Sequence, residues 1–155
     1  MSRFGADRIK NIAIAGHAGS GKTSLAEAMM FKACAIERLG KVADGNTVCD
    51  FDPEEIKRKA TLSLSLAQFA CGDVKLNLLD TPGLFDFASG LYEGVGAADS
   101  VLIAVSGKSG VTVGAKKAYK LAKKQGKATM IFVGKMDSEN ADFYKVLESL
   151  KTEFG

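Results

Sequence analysis

A glycine-rich segment near the N-terminus fits the spacing G-x-x-x-x-G-K-[ST], the pattern of a loop that binds phosphate. Glycines let the main chain curl so that consecutive N–H groups point into one hollow, and a following helix adds the positive end of its dipole. Lys22, the candidate catalytic residue, would reach the terminal phosphates of a nucleotide, and the Thr23 hydroxyl suits a bridging Mg²⁺ ion. The predicted phosphate cradle comprises Gly16, His17, Ala18, Gly19, Ser20, Gly21, Lys22, Thr23 and Ser24.

A second candidate segment, Asp80-Thr81-Pro82-Gly83, follows an apolar run that is predicted to form a strand. Open α/β sheets place their ligand sites at the carboxyl ends of strands, so Asp80 can hold Mg²⁺, usually through water, opposite the phosphate loop. The turn shaped by Pro82 brings the Gly83 N–H within reach of a terminal phosphate. The alternative is an ordinary turn at a strand end, because Asp, Pro and Gly are common turn residues.

The third candidate segment is Gly134-Lys135-Met136-Asp137, which also directly follows a predicted strand. The Asp137 carboxylate can accept hydrogen bonds from the two N–H donors of guanine, and the aliphatic part of Lys135 can lie across the base. These two residues would then select GTP. The competing interpretation is a charged loop that caps the next helix through Asp137 or Ser138.

Strands alternate with helices along the chain, which predicts an α/β fold: a mostly parallel open sheet with helices on both faces, of the P-loop NTPase type. Alternating residues at 61–71, a turn at Gly72-Asp73 and an apolar run at 74–79 predict one antiparallel hairpin. On the first hairpin strand we expect Leu66 to share one face with the two leucines before it. Further strands are predicted at 11–15, 101–105 and 129–133, and helices at 22–34, 85–99, 115–125 and 138–150.

Two segments depart from this regular pattern. Residues 40–60 are polar and charged, and a segment of this length without regular structure is usually functional. Within it, Asp52 as N-cap and Pro53 as first helical residue predict one short helix. The helix predicted at 85–99 contains three glycines, each costing about 1 kcal/mol relative to alanine, so we expect it to be weakly held.

The composition indicates one globular domain. Of 155 residues, 46% are hydrophobic and 25% charged, which excludes the disordered and membrane-spanning classes. The N-terminus lacks the layout of a secretory signal, and three cysteines without a C-x-x-C pair argue against a disulfide framework or a zinc site. We therefore expect a cytoplasmic protein with no membrane or DNA partner; a net charge of +3 is too small to indicate nucleic acid by itself.

With these segments in order, residues 8–155 resemble the N-terminal part of the GTP-binding domain of translational GTPases, most closely the elongation factor G-like proteins. In that family the phosphate loop begins Gly-His, as Gly16-His17 does here, and Asp-Thr-Pro-Gly is matched at 80–83. The family's Asn-Lys-Met-Asp is matched at three of four positions by residues 134–137.

The resemblance implies GTP or GDP with Mg²⁺ as cofactors and a role in protein biosynthesis, with the ribosome or ribosomal RNA as a partner of the parent protein. Thr61 falls where the family has a mobile-loop threonine whose hydroxyl binds magnesium. The implied metal ligands are therefore Thr23, Thr61 and Asp80. Residues 40–60 correspond to the first switch segment of the family and residues 81–96 to the second.

Two residues and the end of the sequence depart from the family pattern. Leu84 stands where elongation factors carry a histidine that positions the attacking water; a leucine side chain cannot hydrogen-bond, so we expect slow hydrolysis. Gly134 replaces the asparagine that ties the base loop to the phosphate loop, which should soften guanine selectivity. The family's last base-contacting motif and sixth strand fall beyond Gly155, so residues 1–155 are expected to be the N-terminal portion of the domain, truncated before the last strand, from a longer multidomain protein.

A basic stripe is predicted on the helix at 115–125 and the residues after it. A ribosomal RNA contact and an ordinary solvated helix face are both consistent with it. The lysines are Lys116, Lys120, Lys123, Lys124 and Lys127.

Three functional hypotheses stay open at this point. The first is a GTP-binding switch domain of an elongation factor G-like translation factor, which hydrolyses GTP slowly. The second is an adenine-nucleotide ATPase or phosphotransferase that uses the same phosphate loop, with residues 134–137 matching by coincidence. The third is a module that binds nucleotide without cleaving it.

Overall fold

One five-stranded sheet forms the centre of the computed structural model, which describes residues 4–155. Its strands are β1 (Ile9–Gly16), β2 (Ser65–Cys71), β3 (Val74–Asp80), β4 (Ser100–Ser106) and β5 (Ala128–Gly134). The helices are α1 (Lys22–Lys32), α2 (Pro53–Arg58), α3 (Ala88–Ala97), α4 (Val113–Lys124) and α5 (Phe143–Phe154). Single turns of 3₁₀ helix lie at Ala6–Arg8, Val42–Asp44 and Phe85–Phe87.

The strand order, β2-β3-β1-β4-β5, brings the three candidate segments to one edge of the sheet. β3, β1, β4 and β5 are parallel, and β2 pairs antiparallel with β3. Ile14 lies opposite Asp80 and Ser106 opposite Gly134, so the phosphate loop and the segments that begin at Asp80 and Gly134 all leave the carboxyl ends of neighbouring strands. The predicted α/β fold with one antiparallel hairpin is confirmed.

The core lies on both faces of the sheet, and the side chains of β1 alternate between the two faces. Ala13 and Ala15 face the side covered by α3, α4 and α5, whereas Ile14 packs with Leu78 on the side covered by α1. Burial of both faces explains why this strand is an unbroken apolar run near its end. None of the helices in residues 4–155 is both long and apolar enough to cross a membrane.

The first hairpin strand is shorter than predicted, so the two leucines that precede Leu66 lie outside it. β2 begins at Ser65 rather than at residue 61, and Leu66 is 63% exposed, whereas Ala67 and Phe69 are buried. The Ser65 hydroxyl donates to the Cys49 carbonyl at 2.9 Å, so the segment before α2 covers this face. The strand therefore directs Ser65, Ala67 and Phe69 toward the core and Leu66 toward solvent.

Two helix boundaries also differ from prediction. α5 begins at Phe143 rather than at Ser138, because the Asp142 side chain caps it by accepting the Lys145 N–H at 3.0 Å. α3 begins at Ala88, after a 3₁₀ turn.

Two glycines of α3 allow the helix to pack closely against residues 81 and 82. A Cβ at Gly90 would lie 2.8 Å from Pro82 Cδ, and one at Gly94 would lie 2.6 Å from Thr81 Cγ2. Glycine thus lets α3 pack directly on the segment after β3. That the helix is weakly held stays a prediction.

The short helix predicted inside residues 40–60 is confirmed as α2. Its N-cap Asp52 accepts the Glu54 N–H at 2.7 Å, and Pro53 occupies the first helical position. The helix ends at Arg58, and its C-cap residue Lys59 adopts a left-handed conformation with φ +52°. This turn sends the chain back toward the carboxyl edge of the sheet.

Candidate nucleotide-binding site

The phosphate loop connects β1 to α1 in a conformation that requires glycine. Gly19 and Gly21 have φ values of +74° and +96°, which side chains disfavour. A Cβ at Gly16 would lie 2.5 Å from the Ala104 carbonyl oxygen, so the loop leaves the sheet in close contact with β4. The loop therefore places its amides ahead of the N-terminus of α1, as an anion-binding loop requires.

Residues 80–83 pack directly against this loop. The Ala18 N–H donates to the Gly83 carbonyl at 3.1 Å. A Cβ at Gly83 would lie 2.5 Å from both Ala18 N and Lys22 Nζ, and Lys22 Nζ itself donates to the His17 carbonyl at 3.1 Å. Any side chain at position 83 would therefore displace the loop or its lysine.

The third candidate segment contacts the phosphate loop through a lysine. Lys135 Nζ donates to the Gly19 carbonyl at 2.7 Å, and the Gly107 N–H donates to the Gly134 carbonyl at 2.7 Å. Lys135 thus links the two loops by a hydrogen bond. In the family pattern, an asparagine at position 134 is expected to make this link. Asp137 lies in the exposed turn two residues further along.

Two hydroxyls and two carboxylates meet beneath the phosphate loop. Thr23 Oγ1 donates to Asp80 Oδ2 at 2.6 Å and lies 3.0 Å from Thr61 Oγ1, which donates to Asp50 Oδ1 at 3.0 Å. All four residues are buried. The second Asp80 oxygen, Oδ1, is buried without a hydrogen-bond partner in the part of the chain that the structure describes.

Burial perturbs the charged groups of this cluster. It raises the pKa of Asp80 to about 6, and it raises the pKa of Asp50, in both cases because a buried carboxylate loses hydration. Burial also lowers the pKa of Lys22, which the nearby Asp80 and Asp50 carboxylates partly oppose. The ionised carboxylates are therefore held at a cost that a further cation would offset.

The donor set fits Mg²⁺, which binds oxygen ligands and retains water molecules. The partnerless Asp80 oxygen and the Thr23 and Thr61 hydroxyls are of the required type. No group of three or more His, Cys, Asp and Glu side chains within residues 4–155 could bind a metal by itself. A magnesium ion here would thus depend on phosphate oxygens as well as on protein ligands.

A cavity of about 310 Å³ opens over the loop, large enough for a small ligand. Nine of the predicted site residues line it: Ala18, Gly19, Gly21, Lys22, Thr23, Ser24, Thr61, Gly83 and Lys135. Five do not, namely Gly16, His17, Ser20, Asp80 and Asp137. Five further residues of the lining were not singled out from the sequence: Val42, Ala43, Asp50, Lys59 and Ala60. The last lining residue, Leu84, is the residue at the position of the expected water-positioning histidine.

Asp50 is the most informative of the missed residues. It is one of several acidic residues between 50 and 55, and only the folded path of the chain distinguishes it. A carboxylate eleven positions before Thr61 has no local signature, because the helix α2 between them turns the chain back. The available signal was the acidic cluster itself.

Leu84 lines the cavity, whereas His17 does not. Leu84 stands at the position where the resemblance expects a water-positioning histidine. The His17 ring lies 6.0 Å from the Phe85 ring, and a Cβ at Gly114 in α4 would contact His17 Nδ1 at 3.0 Å. The His17 side chain therefore packs against α4 and does not replace the missing histidine over the cavity.

The lysines of the predicted basic stripe are partly engaged in contacts within the molecule. Lys116 forms an ion pair with Glu153, and Lys123 Nζ lies 5.4 Å from the centre of the Tyr119 ring. Lys127 Nζ donates to the Gly96 and Ala98 carbonyls at 3.3 and 2.7 Å. An RNA contact by the whole stripe would compete with these interactions, and it stays a prediction.

Comparisons with known proteins agree with this arrangement. The family model "Elongation factor Tu GTP binding domain" matches residues 7–155. The elongation factor G-like protein of Mycobacterium tuberculosis is 34% identical over 147 residues, which cover 95% of this chain and 21% of that protein. The mitochondrial ribosome-releasing factor 2 of Drosophila melanogaster is 38% identical over 144 residues, covering 93% and 20%.

Solved structures give the same result for the fold. A crystal structure of a protein from Thermus thermophilus has a TM-score of 0.89 and 39% identity, covering 94% of this chain and 22% of that one. A bacterial selenocysteine-specific elongation factor has a TM-score of 0.74 at 22% identity, which shows the fold alone. The chain thus spans about a fifth of the length of the curated relatives that it matches. It belongs to the elongation factor Tu GTP-binding domain family and is homologous to the N-terminal part of elongation factor G-like proteins.

Proposed function

We propose that this domain binds GTP and GDP together with Mg²⁺ and acts as a nucleotide-dependent switch. The observation that carries the proposal is the convergence of three separate segments on one cavity, with Lys22, Thr61 and Lys135 all in its lining. Family membership supports the same nucleotide. An isolated phosphate loop would not require the contacts that Gly83 and Lys135 make with it.

Each group of residues has a distinct role in this proposal. The loop amides and Lys22 hold the phosphates, and Lys22 offsets negative charge that builds on them during hydrolysis. Thr23 and Thr61, with the carboxylates of Asp80 and Asp50, would hold magnesium. When bound, that ion neutralises phosphate charge.

Guanine selection is assigned to residues 135–137. The Lys135 side chain lines the cavity and donates to the Gly19 carbonyl, so its aliphatic part can support a flat base. The exposed Asp137 carboxylate is free to accept the two N–H donors of guanine. Adenine lacks that pair of donors, which is why a carboxylate here favours GTP.

The switch property rests on two separate segments that both line the cavity. Thr61 comes from the segment after α2, and Gly83 from the segment before α3. Both would contact the end of the nucleotide where a triphosphate differs from a diphosphate. A change in that phosphate can therefore move both segments together.

Hydrolysis by the domain alone is proposed to be slow. Leu84 in the cavity lining can neither donate nor accept a hydrogen bond, and His17 packs elsewhere. Loss of a group that positions water typically costs on the order of a hundredfold in rate. We propose that the parent protein is an elongation factor G-like translation factor that meets the ribosome in the cytoplasm.

Titration calorimetry in magnesium tests the proposal. The wild-type domain should bind GDP and GTP, and Lys22→Ala should weaken both by about a hundredfold, because it removes a charged hydrogen bond to phosphate. Lys32→Ala is the matched control, since Lys32 is an exposed lysine of the same helix α1. Equal binding by the Lys22→Ala and Lys32→Ala variants would refute the assignment.

A further inference from the structure

Glu55 is a buried glutamate that holds the segment carrying Thr61. It lies on α2, is 1% exposed, and its Oε1 atom accepts the Leu62 N–H at 2.8 Å and the Ser63 N–H at 3.0 Å. The Ala60 N–H also donates to the Glu55 main-chain carbonyl at 3.2 Å. The chain from α2 to residue 63 is thereby folded back on a single side chain.

The charge of Glu55 has no cationic partner. Within residues 4–155, no lysine, arginine or histidine nitrogen lies within 4.0 Å of its carboxylate. Burying a carboxylate is costly, and here main-chain amides alone compensate it. The other glutamate of α2, Glu54, is exposed, so within this helix the cost falls on position 55 alone.

The two amides that Glu55 binds follow Thr61 directly in the sequence. They fix the chain at the point where Thr61 Oγ1 lies 3.0 Å from Thr23 Oγ1 and donates to Asp50. We propose that Glu55 is a positioning residue: it holds Thr61 at the magnesium side of the cavity, and so sets the preference of the domain for triphosphate over diphosphate. This inference rests on the proposed function.

The geometry suggests a pair of variants that separate anchoring from charge. One oxygen accepts both amides, so Glu55→Gln keeps an acceptor for them while removing the charge. Glu55→Ala removes both. Glu54→Ala is the matched control, because Glu54 is an exposed neighbour on the same helix that pairs with Arg58.

Amide hydrogen exchange of the nucleotide-free protein tests the anchoring directly. In Glu55→Ala, the Leu62 and Ser63 amides should exchange about tenfold faster or more, because each loses its part-buried hydrogen bond to the carboxylate. Glu55→Gln and Glu54→Ala should stay within about threefold of wild type. Unchanged exchange of these two amides in Glu55→Ala would overturn the proposal, whatever the nucleotide affinity.

Nucleotide binding then tests the consequence. With magnesium, Glu55→Ala should weaken a non-hydrolysable GTP analogue about tenfold and leave GDP unchanged, while Glu55→Gln retains most of the preference. In a Thr61→Ala background, Glu55→Ala should have no further effect on this preference.

Three results would overturn the proposal. They are a persistent effect of Glu55→Ala without Thr61, equal losses for the two nucleotides, and a Glu55→Gln variant as defective as Glu55→Ala. A wild-type domain that binds neither nucleotide would instead refute the proposed function, since the exchange result does not depend on it.

Discussion

Asp80→Asn should stabilise the nucleotide-free domain while weakening its magnesium site. Asp80 is fully buried, one of its oxygens accepts the Thr23 hydroxyl at 2.6 Å, and the other has no partner among the described residues. An asparagine retains an oxygen for Thr23 and carries no charge. The wild-type carboxylate thus lowers the stability of the nucleotide-free protein, and its charge is useful only when magnesium is bound.

The magnitude follows from the pKa of Asp80. Because the folded-state pKa of about 6 exceeds the ordinary value of 3.8, the stability contributed by this group is fully present below about pH 3.8 and is lost as the pH rises through about 6. At pH 7 the ionised group costs about 3 kcal/mol of unfolding free energy. An unpaired amide nitrogen in the variant costs about 1 kcal/mol, which leaves a net gain of about 2 kcal/mol.

Urea unfolding in EDTA across pH 4.5 to 7.5 measures this effect. The stability advantage of Asp80→Asn should be near zero at about pH 4.5 and should grow to about 2 kcal/mol by pH 7. Asp86→Asn is the control, since Asp86 is exposed and should show no such trend. An Asp80→Asn variant that is less stable than wild type at pH 7, or an advantage that does not grow with pH, would refute the reasoning.

Three further substitutions test other parts of the site. Gly83→Ala should weaken GTP binding about tenfold or more, because the added Cβ would lie 2.5 Å from Ala18 N. Gly96→Ala is the control and should bind GTP normally, because a Cβ at position 96 meets open space. Equal GTP affinities of the two variants would contradict this prediction. Leu84→His should raise GTP hydrolysis about tenfold or more in a phosphate-release assay, and an unchanged rate with intact binding would exclude the proposed cause of slow turnover. Asp137→Asn should weaken GDP and favour xanthosine diphosphate, whose C2 carbonyl accepts an amide N–H; retained GDP affinity in calorimetry would contradict the base assignment.

The sheet and the phosphate loop could be predicted because their signals are local. The loop pattern requires neighbouring glycines, a lysine and a threonine, and apolar runs before residues 16, 80 and 134 identify the strands that end there. Parallel strands then bring these ends together without further information. In the structure β3, β1, β4 and β5 are neighbouring parallel strands, as that reasoning requires.

The segment between α1 and β2 could not be predicted in the same way. Its path depends on buried carboxylates that bind distant amides: Glu27 accepts the Gly40 and Val48 N–H groups, and Glu55 accepts those of Leu62 and Ser63. Nothing in the local sequence distinguishes these glutamates from the exposed ones.

Which face of β2 is buried could not be predicted, for the same reason. A two-residue alternation gives the two faces of a strand but does not say which face is buried. The choice depended on Cys49, whose carbonyl accepts the Ser65 hydroxyl from sixteen residues away.

Displacement of fluorescently labelled GDP from the magnesium-loaded domain is the most direct test of a guanine-specific site. GTP should displace the label at concentrations similar to those of unlabelled GDP, whereas ATP should require about a hundredfold more, because adenine lacks the N–H pair that a carboxylate binds. Displacement by ATP as readily as by GTP would contradict the proposed guanine site.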